Sequence, residues 1–303
     1  MKILIIGYGS IARRHFLIIK KNFKFANLYV LSRRKIKVNG AIILKNRDQI
    51  KKIKPNYIII ASETNKHYSD LIFLENNFKN IKILIEKPLF HKTIKINKPK
   101  NNIYVGYNLR FHPAVIFLRK LLKKENPIDI KVITNSYLPN WRKGKYSSSY
   151  SANKKAGGGV ILDLSHEIDL VLWLFGTIKI SHAKFGKQSN LKITSEDNLK
   201  LLGKIKNANF YLDLSYYSKN EIRNIFIDTN KKSLFLNIKD NLIKIDNIKK
   251  KFFKNDINQS YLNMHEAIIL KKNTEYLCKF DQGKKVLEAI TRIKNFKLNK
   301  AKK

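Results

Sequence analysis

Three short segments of the 303-residue sequence carry residue types able to do chemistry together. Gly7-Tyr8-Gly9-Ser10-Ile11-Ala12 is a GxGxxA pattern. Gly7 allows a tight turn, Gly9 lets the backbone approach a pyrophosphate, and the small Ala12 lets a following helix pack closely on the preceding strand. The first helical N–H groups, at Ser10 and Ile11, then face the phosphates from the positive end of the helix dipole. About twenty residues on, where an NAD site usually holds the ribose 2′-hydroxyl with an acid, the chain reads Ser32-Arg33-Arg34 instead. Ser32 can hydrogen-bond a 2′-phosphate, and Arg33 and Arg34 can pair with its charge and stack on adenine. NADP(H) is therefore the expected cofactor and NAD(H) the alternative.

The second segment is Glu86-Lys87-Pro88 and the third runs from Gly157 through Asp163, His166 and Asp169. Moving a hydride to or from a secondary alcohol also requires moving the hydroxyl proton. A histidine does this near neutral pH when a carboxylate orients it, and a lysine can stabilise the developing alkoxide. Lys87 and His166, with Asp163 as the orienting acid, match those needs. Residues three apart share a face of a helix, which would bring Asp163 to His166. The plain alternative is a helix histidine satisfied by Asp163 or Asp169, and a solvated lysine. Ser62 and His67 follow another strand and are expected near the cofactor, beside Glu63, an unusual acid for a phosphate site. A loop from Pro139 to Lys155 holds Trp141, Arg142, Tyr146 and Tyr150. Its aromatic faces and hydroxyls suit a sugar, and Arg142 suits a carboxylate or phosphate. No metal site is expected, because the histidines are scattered and Cys278 is the single thiol.

Elements that could position these groups follow from the apolar pattern. Short β-branched runs at Lys2–Ile6, Asn27–Leu31, Ala41–Leu44, Tyr57–Ile60, Ile81–Ile85 and Ile103–Val105 alternate with helical segments. That alternation implies a parallel sheet covered on both faces. Past Phe111 the grammar changes. A helix from Pro113, a long strand from Ile128 to Tyr137 and a helix over Val160–Phe175 precede six alternating runs with short turns. Tightly joined strands of this kind imply an antiparallel sheet. Two helices, about Gln259–Lys272 and Gly283–Lys297, close the chain, with a solvated tail expected over Asn299–Lys303. The fold class is a Rossmann-type α/β dinucleotide-binding domain (1–110) followed by an α+β domain with an open, mainly antiparallel sheet (111–303).

The fingerprint, Glu86-Lys87-Pro88, the segment Gly106-Tyr107-Asn108-Leu109-Arg110-Phe111-His112-Pro113 and the segment from Gly157 to Asp169 together resemble the Gfo/Idh/MocA family of NAD(P)-dependent oxidoreductases. The resemblance covers residues 1 to about 176 by motif and the remainder by strand pattern alone. It implies that Lys87 is placed at the nicotinamide and the reacting hydroxyl, and that Asp163 and His166 face the substrate. It assigns Glu86 to the cofactor side and Tyr107, Arg110, Trp141, Arg142 and Asp169 to the substrate side. The family often spaces the carboxylate and histidine by four positions, whereas here they are three apart. The substrate expected is a sugar or cyclitol-like alcohol, in surface-polysaccharide or acidic-sugar biosynthesis. The assembly expected is a homo-oligomer, dimer or tetramer.

Composition bears on the other function classes. Lys and Arg total 62 against 22 acids, a net charge of +40 that first points to a polyanion. Yet 52 of those bases are Lys and 10 are Arg, beside 33 Asn, and the lysines spread from Lys2 to Lys303. Nucleic-acid sites favour Arg in clusters. The charge therefore reads as background composition, and no specific nucleic-acid partner is expected. A catalytically inactive cofactor-binding sensor is the other alternative. The chain shows no apolar run of the roughly 18 residues a membrane span needs, and a cytoplasmic location is expected.

Overall fold

A computed structural model describes residues 1–96, 98–142, 144–254 and 256–300, with the side chains of Lys249 and of residues 297–300 excepted. It divides into two compact units, Met1–Phe111 with Asp256–Lys284, and His112–Asn255 with Lys285–Lys303.

The first unit is built on strands β1 (Lys2–Ile6), β2 (Asn27–Leu31), β3 (Ile42–Leu44), β4 (Tyr57–Ile60), β5 (Lys82–Ile85) and β6 (Asn102–Val105). They alternate with helices α1 (Ser10–Asn22), α2 (Asp48–Ile53) and α3 (His67–Asn77). Ile3, Leu4, Ile5 and all four residues of β4 are buried, as a sheet covered on both faces requires. Helix α1 turns Ala12, His15, Phe16, Ile18 and Ile19 inward and ends in Lys20 and Lys21, which oppose the negative end of its dipole. The strands are parallel, ordered β6-β5-β4-β1-β2-β3, so the order reverses at β1 and β4. In open α/β sheets, ligands bind outside the carboxyl ends of the strands at that reversal.

Sequence reasoning put the domain boundary at residue 110 and assigned all that follows to the second domain. The compact first unit also takes in α7 (Ile257–Leu270) and the two-residue strand β15 (Cys278–Lys279). Helix α7 buries Tyr261, Met264, Ala267 and Ile268 in the same core as Ile3, Phe16 and Tyr57. Strand β15 pairs antiparallel with β6. A two-residue strand is too short to produce a periodic signal, and α7 reads equally well against either sheet.

The second unit holds α4 (Pro113–Leu122), β7 (Pro127–Tyr137), α5 (Val160–Asp163), α6 (Ser165–Leu174) and β8 (Ile178–Gly186). Then follow β9 (Asn198–Ile205), β10 (Ala208–Ser215), β11 (Tyr217–Thr229), β12 (Ser233–Asn237), β13 (Leu242–Ile245) and β14 (Lys249–Phe252). These strands form one sheet, β14-β13-β12-β11-β7-β10-β9-β8. Only β7 and β10 pair in parallel. Strand β14 was not expected, since a Lys-Lys-Lys-Phe run has no apolar alternation; it is carried by its pairing with β13. The closing helix α8 runs from Phe280 to Lys300. It therefore overlaps the tail expected at Asn299–Lys303, of which residues 301–303 lie outside the described residues.

The helix expected over Val160–Phe175 is two helices. Leu164, at φ −95° and ψ 27°, separates α5 from α6. Asp163 and His166 thus lie on different helices, and the rule that residues three apart share a face does not join them.

Candidate functional site

In the first unit, the fingerprint, Ser32–Arg34, Ser62 and Glu86-Lys87 follow the carboxyl ends of β1, β2, β4 and β5 in turn. The parallel topology thus gathers them on one edge of the sheet. Gly7 has φ +94°, and a Cβ there would lie 2.5 Å from the Ala61 carbonyl oxygen. Glycine is required by both the turn and the contact with β4. Gly9 is the N-cap of α1; nothing lies within 4 Å of the place its Cβ would take, and no side chain caps the helix. Ser10 is exposed and Ala12 fully buried. An uncapped helix start with open space before it suits a pyrophosphate, so the residues present fit a dinucleotide.

The segment after β2 has its own partners. Ser32 Oγ accepts the Arg34 N–H at 3.1 Å. Arg33 lies 3.5 Å from the Glu63 carboxylate, an ion pair with side chains 74% and 57% exposed. Glu63, the acid that looked out of place beside β4, therefore faces the arginine that follows β2.

Three residues expected at the cofactor are engaged within the protein. Ser62 Oγ donates to Asp70 at 2.7 Å, and Asp70 also takes the Arg47 guanidinium. His67 is buried with Nε2 3.2 Å from the Ser62 carbonyl and Nδ1 3.1 Å from the Pro88 carbonyl. Burial pushes its imidazole below the ordinary value, although carbonyls on both sides favour the charged form. His67 thus ties the turn after β4 to the turn after Lys87. Glu86 is buried too, its carboxylate taken by His15 at 2.8 Å and by the Lys87 backbone N–H at 3.3 Å. Sequence reasoning placed these three at the cofactor; here His67 and Glu86 are buried and Ser62 is half-buried, each with the protein partners just given. Lys87 is half-buried and the Lys87–Pro88 peptide is cis. Tyr107 and Arg110, expected at the substrate, are buried, and Arg110 donates to Gln282 at 2.9 Å at the start of α8.

In the second unit the conspicuous group is Asp163. It accepts the Tyr216 hydroxyl at 2.5 Å and also interacts with the Tyr150 hydroxyl. Burial, with the Asp163 charge next, pushes both phenols well above their ordinary value, so each is a hydroxyl donor. Trp141 packs edge-on against Tyr216 with centroids 5.1 Å apart, and the Arg142 guanidinium sits 4.8 Å over the Tyr150 ring. Asp163, Tyr150, Tyr216, Trp141 and Arg142 therefore form one cluster of a buried carboxylate, aromatic faces and a guanidinium. His166 and Asp169 are buried on α6, the first helix after the break.

The glycine triplet places this cluster. Gly157 and Gly159 have φ of +87° and +127°. A Cβ on Gly158 would lie 2.1 Å from the Tyr150 carbonyl, and one on Gly159 would lie 2.4 Å from the Glu196 carboxylate. On the far side of the break, Glu167 is buried and held by Arg223 at 2.6 Å and Thr134 at 3.1 Å. His112, in the Gly106–Pro113 segment, caps α4 by accepting the Ala114 N–H and contacts Asn241 at 2.8 Å. Sequence reasoning missed Tyr216 and Arg223, which neighbour Asp163 and Glu167 only through pairing of distant strands. Among the described residues no group of three or more His, Cys, Asp or Glu could hold a metal ion. No described helix is long and apolar enough to cross a membrane.

Comparison with known proteins agrees with this layout. Residues 1–99 match the family model for an oxidoreductase NAD-binding Rossmann fold, and residues 125–295 match that for the oxidoreductase C-terminal alpha/beta domain. No match was found among curated proteins. Among solved structures, an oxidoreductase from Thermotoga maritima superposes with a TM-score of 0.81 at 15% identity, over 97% of this chain and 95% of that one. UDP-N-acetylglucosamine 3-dehydrogenase from Acidithiobacillus ferrooxidans gives 0.76 at 17% identity, over 97% and 96%. The WlbA dehydrogenase from Bordetella pertussis, in complex with NADH and UDP-GlcNAcA, gives 0.75 at 15% identity, over 97% and 95%. At these identities the likeness is one of fold.

Proposed function

This chain belongs to the Gfo/Idh/MocA oxidoreductase family, and on that premise we propose that it transfers a hydride at a secondary alcohol or ketone of a nucleotide-linked sugar, with NADP(H) preferred over NAD(H). The observation that carries the reading is the gathering of the fingerprint and Lys87 on the carboxyl edge of one parallel sheet. The nicotinamide, when bound, supplies the carbon that gives or takes the hydride.

The remaining work falls to the chain. Gly7, Gly9 and the uncapped N–H groups at Ser10, Ile11 and Ala12 hold the pyrophosphate. Ser32, Arg33 and Arg34 hold a 2′-phosphate, with Arg33 exchanging its exposed partner Glu63 for the stronger phosphate contact. The Lys87 ammonium donates to the reacting oxygen and stabilises alkoxide charge. His166 exchanges the hydroxyl proton. Tyr216 and Tyr150 hold Asp163 as a fixed acceptor for a sugar hydroxyl. Trp141 gives an apolar face to the ring, and Arg142, braced on Tyr150, meets a phosphate or carboxylate. Dehydrogenases of nucleotide sugars among the structural neighbours support that substrate class.

The test is fluorescence titration with NADPH and NADH, on the wild type and on Lys87→Ala. Both proteins should bind NADPH with similar affinity and more tightly than NADH. Absence of binding at millimolar concentrations of either cofactor would overturn the reading. Equal affinity for both would remove the NADP preference alone.

A further inference from the structure

Four polar side chains buried in the first unit form a continuous hydrogen-bonded chain that the chemistry above does not use. Tyr57 on β4 lies 3.0 Å from His265 Nδ1 on α7. His265 Nε2 lies 2.9 Å from His15 Nδ1 on α1. His15 Nε2 lies 2.8 Å from Glu86 Oε1 at the end of β5. Tyr57, His15 and His265 have no exposed surface, and Glu86 is 5% exposed.

The direction of the chain follows from its end groups. Burial pushes the Tyr57 phenol well above its ordinary value, with Glu86 adding to the rise, so the hydroxyl keeps its proton. Burial pushes His265 well below its own, so it is a neutral imidazole with one N–H. With Tyr57 a donor and His265 holding one proton, one set of donors satisfies every contact. Tyr57 O–H donates to His265 Nδ1, His265 Nε2–H to His15 Nδ1, and His15 Nε2–H to Glu86 Oε1. The opposite direction would make Tyr57 an acceptor from His265 and leave its own O–H without an acceptor in this chain.

The surroundings are shaped to this chain. A Cβ on Gly106 would lie 2.7 Å from Glu86 Oε1, so the residue after β6 leaves room for the carboxylate. Tyr261, one turn before His265 on α7, closes the other side of His15 edge-on at 5.4 Å. The second Glu86 oxygen accepts the backbone N–H of Lys87. The chain therefore starts at a tyrosine in the middle of the fold and ends on the peptide group of Lys87.

We propose that Tyr57, His265, His15 and Glu86 are positioning residues: they hold one carboxylate in one place, and through it fix the backbone from which Lys87 is presented. The value of this to catalysis rests on the reading of Lys87 given above, whereas the wiring itself does not.

The experiment is NMR of uniformly 15N-labelled full-length protein, read at the imidazole nitrogens and at the Lys87 amide. Wild type should show His15 and His265 both protonated at Nε2. Exchange protection of the Lys87 amide should fall about tenfold in His15→Ala, consistent with loss of a charge-assisted bond holding the carboxylate. His15→Gln, whose amide can donate to Glu86, should restore most of it. Tyr57→Phe removes only the terminal donor; it should lower Lys87 protection by a smaller factor while the amides of Ile58 to Ile60 keep theirs. A merely structural role predicts equal loss across the sheet and no rescue by His15→Gln. That pattern, or an Nδ1-protonated His15 or His265, would overturn the proposal. Titration of the same samples with NADPH and NADH separates the two claims: wild-type protein that shows the wiring but binds neither cofactor refutes the proposed function alone. If nucleotide-sugar turnover is found, Tyr57→Phe should lower kcat and leave the KM for the nicotinamide cofactor unchanged.

Discussion

Acidification should weaken the first unit through two histidines that the fold keeps neutral. His265 and His67 are both buried, and burial lowers the proton affinity of each below its ordinary value of 6.5. As pH falls, the unfolded chain takes up these protons first, so stability is fully present above about 6.5 and lost below it. A histidine held neutral throughout loses at most on the order of 1 kcal/mol between roughly pH 7.5 and pH 5.5. Two such groups lose at most about 2–3 kcal/mol, a shift of several degrees at most in Tm for a cooperative unit of this size class. The net charge of +40 adds a general repulsion on acidification. The informative measurement is therefore the difference between proteins. Thermal unfolding followed by calorimetry at both pH values should show a drop in wild type that is smaller in His67→Gln, which has no group to titrate there, by up to about 1 kcal/mol. An equal drop in both proteins would refute the argument that burial keeps His67 neutral, and a Tm independent of pH would refute it for His265 as well.

Further predictions concern the second unit and the cofactor edge. Arg223→Met should strand the buried Glu167 carboxylate and cost about 3–5 kcal/mol in urea unfolding, mostly regained in Arg223→Met with Glu167→Gln. Gly159→Ala should destabilise by about 1–3 kcal/mol, because its φ is +127° and the new methyl would meet the Glu196 carboxylate; an unchanged urea midpoint would count against this. Glu63→Gln should tighten NADPH binding by at most about fivefold, the range of an exposed ion pair, and leave NADH binding nearly unchanged.

The parallel sheet was legible because β1 and β4 are buried on both faces and spell it in continuous apolar runs. Lys87 was legible for the same reason: its motif closes the buried run of β5, and topology alone places it on the edge with Gly7 and Gly9. Other features lay beyond local pattern. Tyr216 meets Asp163 from 53 positions away, and His265 meets His15 from 250. Such contacts depend on which strands and helices become neighbours. His67 and Glu86 show the opposite limit. They lie in the expected segments, yet burial directs them to carbonyls and to His15. The break at Leu164 has no glycine or proline to announce it. Asp163 is anchored to Tyr216 on one side of it and Glu167 to Arg223 on the other, so tertiary contacts hold what local propensity would have joined.

Hydride transfer itself is the most direct test of the account. Purified protein would be mixed with NADP+ or NAD+ and a panel of nucleotide-linked sugars, and the near-ultraviolet absorbance of reduced nicotinamide followed. The account predicts formation of the reduced cofactor with at least one nucleotide sugar, lost in Lys87→Ala although that variant still binds cofactor. Cofactor binding with no reduction across the panel in either direction, or reduction that survives Lys87→Ala at the wild-type rate, would contradict it.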